Sequence, residues 1–446
     1  MFLTIIQMIL FYALTGTVGY FAFKKFKEVY DNIKMGQPET IDTPLSFRLK
    51  NMFLIAFGQK KMFKITFPAL LHLVIYLSFV ITQIELIEIM LDGATGQHRI
   101  LFHYIFQGNI LEGFYRFVVS FIEVLSLLTF FVTIVFILRR TVFKINRFNK
   151  PEMKGWPTKD GLLILAFELT LITFIFMMNG ADRALQLQGD PHYIDTKGFL
   201  LSNFLGHSLM SLPHGALVMM ERIGWWGHLS MVFAFMLYLP YSKHLHILLA
   251  FPNTFFSRPE PKGQIRNMES VMHEVKSMFD DSYQAPETDG EIKFGAKDVF
   301  DLSWKSLLDA YTCTECGRCT QACPANQTGK ILSPRKIMID TRDRMEEITR
   351  NRKIHGPDFS DNKTLLNDYV TSEELRACTT CNACVEECPV NISPLNIILE
   401  LRRNMIMDES NSPQEWNTMF ANMENNQAPW QFSMEDRLNW TDDLNK

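Results

Sequence analysis

Cysteine is absent from most of this chain. All 8 cysteines of the 446 residues lie between Cys313 and Cys388, so the longer first part cannot be built on disulfides. The sequence also lacks a Gly-x-Gly-x-x-Gly motif after a strand pattern, which argues against a flavin or dinucleotide site. A net charge of -4 lacks the positive excess that is typical of nucleic-acid-binding proteins. The chemistry must therefore be sought in the cysteine-rich stretch and in the apolar residues before it.

The cysteines form two copies of one pattern. Each copy reads Cys-x-x-Cys-x-x-Cys-x-x-x-Cys-Pro, and the copies begin at Cys313 and Cys378. Three closely spaced thiolates can bind three irons of a cubane, whereas the fourth, followed by a chain-turning proline, points to the other cluster. The spacing therefore predicts two [4Fe–4S] clusters with crossed ligands. One is held by Cys313, Cys316, Cys319 and Cys388, and the other by Cys378, Cys381, Cys384 and Cys323.

Zinc and disulfides explain this pattern less well. Structural zinc usually shows paired Cys-x-x-Cys knuckles, and disulfides need an oxidising compartment and would not demand this spacing twice. The flanks repeat too, because Ser333-Pro334 and Ser393-Pro394 follow the two motifs. Each Ser-Pro pair predicts a helix with serine as its N-cap and proline at its first position. Free cysteines kept for clusters indicate a reducing compartment.

Long apolar runs dominate residues 1–255, whereas the later residues are soluble in character. Each run is long enough to cross a membrane as a helix. The first run has neither a basic n-region nor an Ala-x-Ala site, so we expect it to span the membrane rather than to act as a signal peptide. The predicted spans cover residues 2–23, 65–90, 117–138, 162–178 and 226–251.

Lysine and arginine are distributed unevenly over the connecting segments. They are concentrated in 24–64, 139–160 and 258–266, and the remaining loops are poorer in them. The positive-inside rule then predicts five spans in the inner (cytoplasmic) membrane, with the N-terminus outside and the cysteine domain in the cytoplasm. An interrupted apolar segment, 199–220, is expected to be an interfacial or re-entrant helix. Counting it as a sixth span would place the cysteines outside, where neither the charges nor the thiols fit.

Four histidines lie within the predicted spans, and one of them, His244, is two positions from His246, faces elsewhere on the helix and is expected to be structural. Ionisable side chains at membrane depth are functional candidates, and a neutral imidazole is a good axial ligand for haem iron. His228 and His246 are 18 residues apart, which on a continuous helix would place them on one face, about 27 Å apart. His72 lies near the cytoplasmic end of the second span, at the depth of His246. These depths predict a haem b held by His72 and His246 on the cluster side of the membrane.

A second haem would require another ligand to pair with His228 on the outer side. The available histidines are His207, His214 and, with less support, His103. The alternative for each is a structural role, in which the ring caps a helix or hydrogen-bonds to a carbonyl. Lys243, one turn before His246, has two possible roles: it could pair with a haem propionate or extend to the lipid headgroups.

The segment from Trp226 to His246 resembles the last helix of a known cytochrome family. That family includes the gamma subunit of respiratory nitrate reductase and the membrane cytochrome b subunit of heterodisulfide reductase. Its Pro-x-Ser-Lys-x-x-His ending is present here as Pro240, Ser242, Lys243 and His246. The repeated cysteine motif is similar to that of the small iron–sulfur subunit of heterodisulfide reductase. The chain therefore resembles a fusion of those two subunits, which implies a dihaem cytochrome b that exchanges electrons between a membrane quinone and cytoplasmic clusters.

One position departs from the family pattern. The nitrate reductase relative carries two histidines ten residues apart in its second helix, and the position ten residues after His72 is Thr82 here. The outer haem therefore lacks its expected second ligand, for which His207 and His214 are the substitutes. One haem b is predicted, and a second is left open.

These inferences predict a mainly α protein of four parts. A five-helix transmembrane cytochrome b bundle occupies 1–255, and a linker, 256–296, leads to a helical ferredoxin-like domain with two [4Fe–4S] clusters at 297–408. An acidic tail, 409–446, follows. Its tryptophans make it a possible docking arm for a partner subunit, and disorder is the alternative.

The predicted function is electron transfer within a membrane-bound oxidoreductase. Electrons would pass between membrane quinone, haem b and the two clusters, and then to or from a soluble partner. By resemblance this partner is a cysteine-rich subunit like that of heterodisulfide reductase, and it would carry the terminal chemistry. The alternative is a redox sensor, or an assembly or structural subunit of a larger respiratory complex without quinone turnover of its own.

Overall fold

The computed structural model describes residues 2–261, 263–284, 286, 293–442 and 444. Over these residues the chain is mainly helical and forms no β-strand, only two isolated bridges. Residues 262, 285 and 287–292 of the predicted linker lie outside the described part. The mainly α fold class is therefore confirmed.

The described residues contain five helices that are long and apolar enough to cross a membrane, as predicted. A helix satisfies its backbone hydrogen bonds internally, which is what a lipid environment requires of a spanning segment. We label these helices α1 to α5: they are Phe2–Ile33, Thr66–Thr95, Glu112–Thr141, Trp156–Leu187 and His214–Tyr238.

The fifth spanning helix starts and ends earlier than predicted. It begins after Pro213 and stops two residues before Pro240, which lacks the N–H that a continuing helix needs. Short turns lead over 239–245 to a new helix, α6, His246–Phe255. The span predicted over 226–251 is therefore wrong, and so is the placement of His228 and His246 on one face of a continuous helix.

The segment that was expected to be interfacial, 199–220, is divided between two helices. Its middle part forms the short helix Ser202–Leu209, and its last residues belong to the first two turns of α5. The interruption at Pro213 separates them, because proline is well suited to a helix start and not to a helix interior.

The cysteine domain packs on the end of the bundle that carries the basic loops. Lys64 Nζ donates a 2.6 Å hydrogen bond to Glu386 Oε1, and Lys150 Nζ donates one of 2.9 Å to Asn326 Oδ1. On α1, Glu28 pairs with Lys353 of the cysteine domain. The basic loops and the cysteine domain, which both predicted a cytoplasmic orientation, therefore lie at the same end of the bundle. Which compartment this end faces stays a prediction.

A buried charge network closes the opposite end of the bundle. Arg99, which lies in the loop after α2, is 4% exposed and its guanidinium lies 3.3 Å from Glu88 and 2.8 Å from Asn179 Oδ1. Tyr115 of α3 donates a 2.6 Å hydrogen bond to the same Glu88 carboxylate. Since buried charges are tolerated only when paired, these contacts fix α2, α3 and α4 to one another at this end.

The cysteine domain is a set of short helices around one apolar core. Ser333 and Ser393 each accept a backbone hydrogen bond at the start of their helices, so both predicted N-caps are confirmed. The helix α6 packs against the domain, and its Asn253 accepts a 2.8 Å hydrogen bond from the buried Lys305. Helices of this domain are α7, Trp304–Thr312; α8, Arg318–Ala322; α9, Pro334–His355; α10, Ala383–Glu387; and α11, Pro394–Arg403.

The tail is partly helical and keeps its aromatic side chains exposed. It contains the helix Gln414–Asn426, in which none of the residues is buried. Trp416, Trp430 and Trp440 are 40%, 47% and 64% exposed. The tail's role as a docking arm stays a prediction.

Candidate electron-transfer site

The eight cysteines line two neighbouring cavities in the cysteine domain. All eight are free thiols. The first cavity is lined by Cys313, Cys316, Cys319 and Cys388, with Cys384 at its edge, and we call it cavity I. The second, cavity II, is lined by Cys378, Cys381, Cys384 and Cys323. The structure thus brings the fourth cysteine of each motif to the other motif's first three, which is the crossed grouping that the spacing predicts.

The two cysteine loops share one backbone conformation. Glu315 and Thr380, each just before the second cysteine, have positive φ values of 53° and 55°. Gly317 and Asn382, just after it, have φ values of 73° and 60°. Asparagine tolerates this left-handed region, but at the first loop a Cβ would lie 2.4 Å from Arg335 Nη1, so only glycine fits there. These positive φ values bend each loop, and the first three cysteines of each motif line its cavity.

The surroundings of these thiols suit an iron–sulfur cluster better than a single metal ion. Burial raises the pKa of Cys313 to about 12 and that of Cys388 to about 11, so a strong positive centre is needed to hold them as thiolates. Within the described residues, no three Cys, His, Asp or Glu side chains converge on a point that could hold one ion. A cubane presents its irons at separated corners and needs ligands spread around a cavity, as they are here.

The two cavities differ in charge and in exposure. Cationic side chains crowd cavity I: Arg318 and Arg335 line it, and the charges of Arg147, Arg342 and Lys61 reach its cysteines. Cavity II has neutral lining residues besides its cysteines. Its nearest cation is Arg402, which donates a hydrogen bond to the carbonyl of Cys378, and its Cys381 is exposed. Cavity I is therefore electropositive, with cysteines that are buried or half-buried, and cavity II is neutral and has one exposed cysteine.

The structure brings His72 and His246 together beneath cavity I. The His72 ring lies close enough to His246 and to Arg318 for their charges to act on it. His72 Nδ1 is 3.2 Å from Gln59 Oε1, and His246 Nδ1 is 3.0 Å from the carbonyl oxygen of Lys243. An acceptor at Nδ1 places the proton there and leaves Nε2 free, which is the arrangement that metal-binding imidazoles use. Both imidazoles thus have the Nδ1 partner that an iron ligand would have, and their role as a ligand pair stays a prediction.

His244, to which we assigned no function, lies beside this pair. Its ring centroid is 5.3 Å from that of His246. Burial and the neighbouring His246 lower the pKa of His244 well below its usual range, so this imidazole is neutral. Among the described residues, neither ring nitrogen of His244 has a hydrogen-bond partner, whereas the Nδ1 atoms of His72 and His246 each have one.

The histidines proposed as outer ligands are not brought to His228. His214 begins the same helix, about 21 Å from His228 along its axis, and bonds to Asp190 at 2.7 Å. His207 is exposed, with Nδ1 2.8 Å from the carbonyl oxygen of Asn203, and His103 is exposed beside Gln107. His214 therefore does not serve as the missing outer ligand, since two axial ligands must lie on opposite sides of one iron. His207 in that role stays a prediction.

Lys243 does not extend to the lipid headgroups, and its pairing with a haem propionate stays a prediction. It is 7% exposed, and its Nζ donates 2.6 Å hydrogen bonds to Glu315 Oε2 and to the carbonyl of Pro157. Burial alone would raise the pKa of Glu315, but its ion pairs with Arg342 and Lys243 hold it down at about 2. Glu315 lies between the first two cysteines of cavity I, so this pair ties the His246 segment to the cluster loop. The sequence analysis missed Glu315, because a single glutamate in a loop has no sequence pattern that indicates a buried ion pair.

Arg318 forms a second link between the two parts, which sequence reasoning also missed. It lies within the first cysteine motif and donates hydrogen bonds of 3.2 Å and 3.1 Å to the carbonyls of Lys61 and Met62, just before α2. Arg318 thus lines cavity I, binds the segment just before α2 and acts electrostatically on His72 of that helix.

Comparison with known proteins agrees with the site. Residues 312–392 match the model of the 4Fe-4S dicluster domain. The chain is 26% identical to the probable iron-sulfur-binding oxidoreductase FadF of Bacillus subtilis, over 98% of its own length and 61% of the relative's. It is also 26% identical to the EtfAB:quinone oxidoreductase of Syntrophomonas wolfei, over 93% of its length and 55% of the relative's. The chain thus spans little more than half the length of these curated relatives.

A shorter match concerns the cysteine half. One subunit of the ferredoxin/F(420)H(2)-dependent CoB-CoM heterodisulfide reductase of Methanosarcina acetivorans is 38% identical over 97 residues, which are 22% of this chain and 46% of that relative. No solved structure matches the chain. The expected resemblance to a heterodisulfide reductase iron–sulfur subunit is therefore confirmed, and the chain is an iron–sulfur redox protein built on a membrane-spanning helical domain.

Proposed function

We propose that the chain is the electron-transfer part of a membrane-bound oxidoreductase, which connects a quinone in the bilayer with a soluble redox partner. The observation that carries this proposal is the stacking of three sites at one end of the bundle. The His72/His246 pair lies in the membrane half, Arg318 both lines cavity I and acts on His72, and cavity II shares the lining residue Cys384 with cavity I and has the exposed Cys381.

The cysteines and the histidines have separate tasks in this proposal. Cys313, Cys316, Cys319 and Cys388 would hold one [4Fe–4S] cluster, and Cys378, Cys381, Cys384 and Cys323 the other. His72 and His246 would hold a haem b through their Nε2 atoms. These groups supply one-electron redox centres when bound. The protein positions them, and the buried cations near cavity I compensate the negative charge of a reduced cluster.

The surface of cavity II is the proposed contact with the soluble partner. Cys381 is exposed, so a redox group of the partner could approach the second cluster closely. The cysteines of cavity I are buried or half-buried, so that cavity is poorly placed for such contact. The Syntrophomonas relative is named an EtfAB:quinone oxidoreductase, so its name gives EtfAB together with quinone. A soluble carrier of that kind, or a cysteine-rich subunit of the heterodisulfide reductase kind, fits this position.

The proposal also gives the chain an orientation in the membrane. The basic loops and the cysteine domain lie at one end of the bundle, so the positive-inside rule puts both in the cytoplasm and the N-terminus outside. The reducing compartment required for the cysteines is then the one in which they lie.

Rapid mixing with a quinol analogue tests the proposed function. The purified protein, with its cofactors, is mixed with menadiol, and haem and cluster absorbance are followed. Wild type should show haem reduction followed by cluster reduction. In His246→Ala the clusters should stay oxidised or be reduced much more slowly. Cluster reduction at the wild-type rate without that haem would contradict the route, and a wild type that does not respond to quinol would favour a sensor or assembly role.

A further inference from the structure

Glu168 is an ionisable side chain inside the spanning region. It lies on α4 on the same stripe as Ile164 and Ile175, which are 7% and 8% exposed and face the core of the bundle. It forms no hydrogen bond or ion pair with any described residue. Charged or polar groups at membrane depth are costly and usually mark a functional site. Glu168 therefore needs an explanation that packing does not provide.

His228 lies one turn away on the facing helix. Its Nδ1 is 3.1 Å from the carbonyl oxygen of Leu171, three residues after Glu168 on α4. Neighbouring contacts fix this register, because Phe167 packs on Phe235 with ring centroids 6.2 Å apart. Since the acceptor carbonyl places the proton on Nδ1, His228 Nε2 carries a free lone pair. This imidazole therefore presents an acceptor close to Glu168 that no described residue uses.

Two orphaned hydroxyls lie at the same level on α3. Thr129 and Thr133 are fully buried, and neither Oγ1 has a hydrogen-bond partner among the described residues, although Thr170 and Thr173 on α4 both bond to the carbonyl four residues earlier. Arg140, two turns after Thr133 on the same face, lies 2.9 Å from where a Cβ of Gly161 would be. This contact sets the register of the two antiparallel helices and places Thr133 level with Glu168.

The proposed haem ligand His246 lies nearer the cysteine domain than Glu168 does. Asp160 of α4 accepts a 3.2 Å hydrogen bond from the backbone N–H of Lys243, three residues before His246. Glu168 lies eight residues after Asp160 on the same helix, so it is about 12 Å deeper in the bundle. A ligand at Glu168 would therefore lie on the membrane side of the proposed haem.

We propose that Glu168 and His228 bind the head group of a membrane quinol, a proposal that rests on the quinone-linked function above. Both side chains present acceptors, a carboxylate and the free Nε2, and a quinol presents two hydroxyl donors at opposite ends of one ring. Leu171, whose carbonyl oxygen contacts His228, lies about 5 Å from Glu168 along the helix axis, and the two side chains are on facing helices, so one ring between α4 and α5 can contact both. Both side chains are only partly buried, so a ligand in the surrounding lipid can reach them.

The chemistry balances with these two groups. Oxidation of one quinol to the quinone releases two electrons and two protons. Glu168 takes one proton from one hydroxyl, and His228 Nε2 takes the other. The two electrons leave one at a time for the redox centres of the chain and then for the soluble partner. Reduction of a quinone is the reverse, with both side chains protonated beforehand and the partner supplying the electrons.

Binding and turnover of the intact protein test this site. The variants are Glu168→Gln and His228→Gln, and the control is Thr173→Val, which removes a polar group from the lipid-facing side of α4. Binding is read from the quenched fluorescence of 2-heptyl-4-hydroxyquinoline N-oxide, a quinol analogue, and turnover from haem reduction by menadiol. Each variant should lose affinity and rate about tenfold or more, as expected when a hydrogen bond to a charged or buried group is removed. The control should match wild type.

The outcomes separate this site from the function on which it rests. Wild-type affinity and rate in both variants, while wild type itself responds to menadiol, would overturn the site and leave the quinone function in place. A wild type that menadiol does not reduce would overturn both. Loss of part of the haem spectrum in His228→Gln would show that His228 is an iron ligand instead and would also overturn the site.

Discussion

Lys243 Nζ and Glu315 Oε2 are 2.6 Å apart in a buried ion pair that joins the membrane half to the cysteine domain. Lys243 lies three residues before His246, and Glu315 lies between Cys313 and Cys316. The pair therefore sets the position of a proposed haem ligand relative to a proposed cluster. Such positioning is what an electron-transfer protein has to provide, since the redox chemistry belongs to the bound groups.

Removing one member of this pair should loosen the junction. Glu315→Gln removes the carboxylate that pairs with both Lys243 and Arg342 and leaves the buried Lys243 only the more distant Asp160, at 3.7 Å. Breaking a buried ion pair typically costs roughly 3–5 kcal/mol. We expect a lower thermal midpoint for the loss of haem and cluster absorbance. The control is Lys64→Gln, whose pairs with Glu386 and Glu387 are more exposed and are worth about 0–1 kcal/mol. Equal midpoints for both variants would show that the buried pair does not hold the two parts together.

Crossed ligation predicts which cluster each cysteine variant loses. Cys388→Ser should damage the cluster held by Cys313, because both side chains line cavity I. Cys323→Ser should damage the cluster of cavity II in the same way. Electron paramagnetic resonance of the reduced variants distinguishes the two signals. If Cys388→Ser loses the cluster of its own motif instead, the crossed assignment is wrong.

The haem assignment predicts matched losses in two variants. His72→Ala and His246→Ala should each abolish the same low-spin haem band, since both axial ligands are needed for it. His214→Ala is the distant control and should retain it. His244→Ala should retain it too, because no described acceptor orients that ring, and a loss there would move the ligand role from His246 to His244. A full low-spin spectrum in either His72→Ala or His246→Ala would refute the pair.

The uneven charge around the cavities predicts different reduction potentials. Nearby cations stabilise the more negative reduced cluster, so the cluster in cavity I should have the higher potential. Arg318→Gln should lower the potential of that cluster and leave the other unchanged. Arg402→Gln, next to Cys378, is the matched variant for cavity II. Redox titrations followed by paramagnetic resonance measure both, and equal shifts of both clusters in either variant would contradict a local electrostatic effect.

The orientation can be tested with reporters. A fluorescent reporter that folds only in the cytoplasm, fused after the last residue, should be active. A reporter that works only in the periplasm should be active when fused before the first residue. The opposite pattern would overturn the five-span topology with an external N-terminus.

Local signals in the sequence determined the parts of this protein. Two cysteine motifs with fixed spacing, two Ser-Pro caps and five apolar runs each report on residues within one or a few helical turns, and the structure has the five long helices and the two caps where these signals lie. The same logic failed where local signals conflicted. The apolar run over 226–251 continued through Pro240, and hydrophobicity alone could not show that the helix ends there and restarts at His246.

Only the tertiary structure decided how the parts meet. Depth along a predicted helix suggested that His72 and His246 pair, but the chain reaches that arrangement through a broken helix and not through the continuous one. The partners Gln59, Glu315 and Arg318 come from distant segments, and a lone glutamate or arginine carries no sequence mark of a buried contact. The contact that His228 makes, with the carbonyl of Leu171, also needed three dimensions, because contacts across a bundle depend on the register of neighbouring helices, which side-chain packing sets and the linear sequence does not.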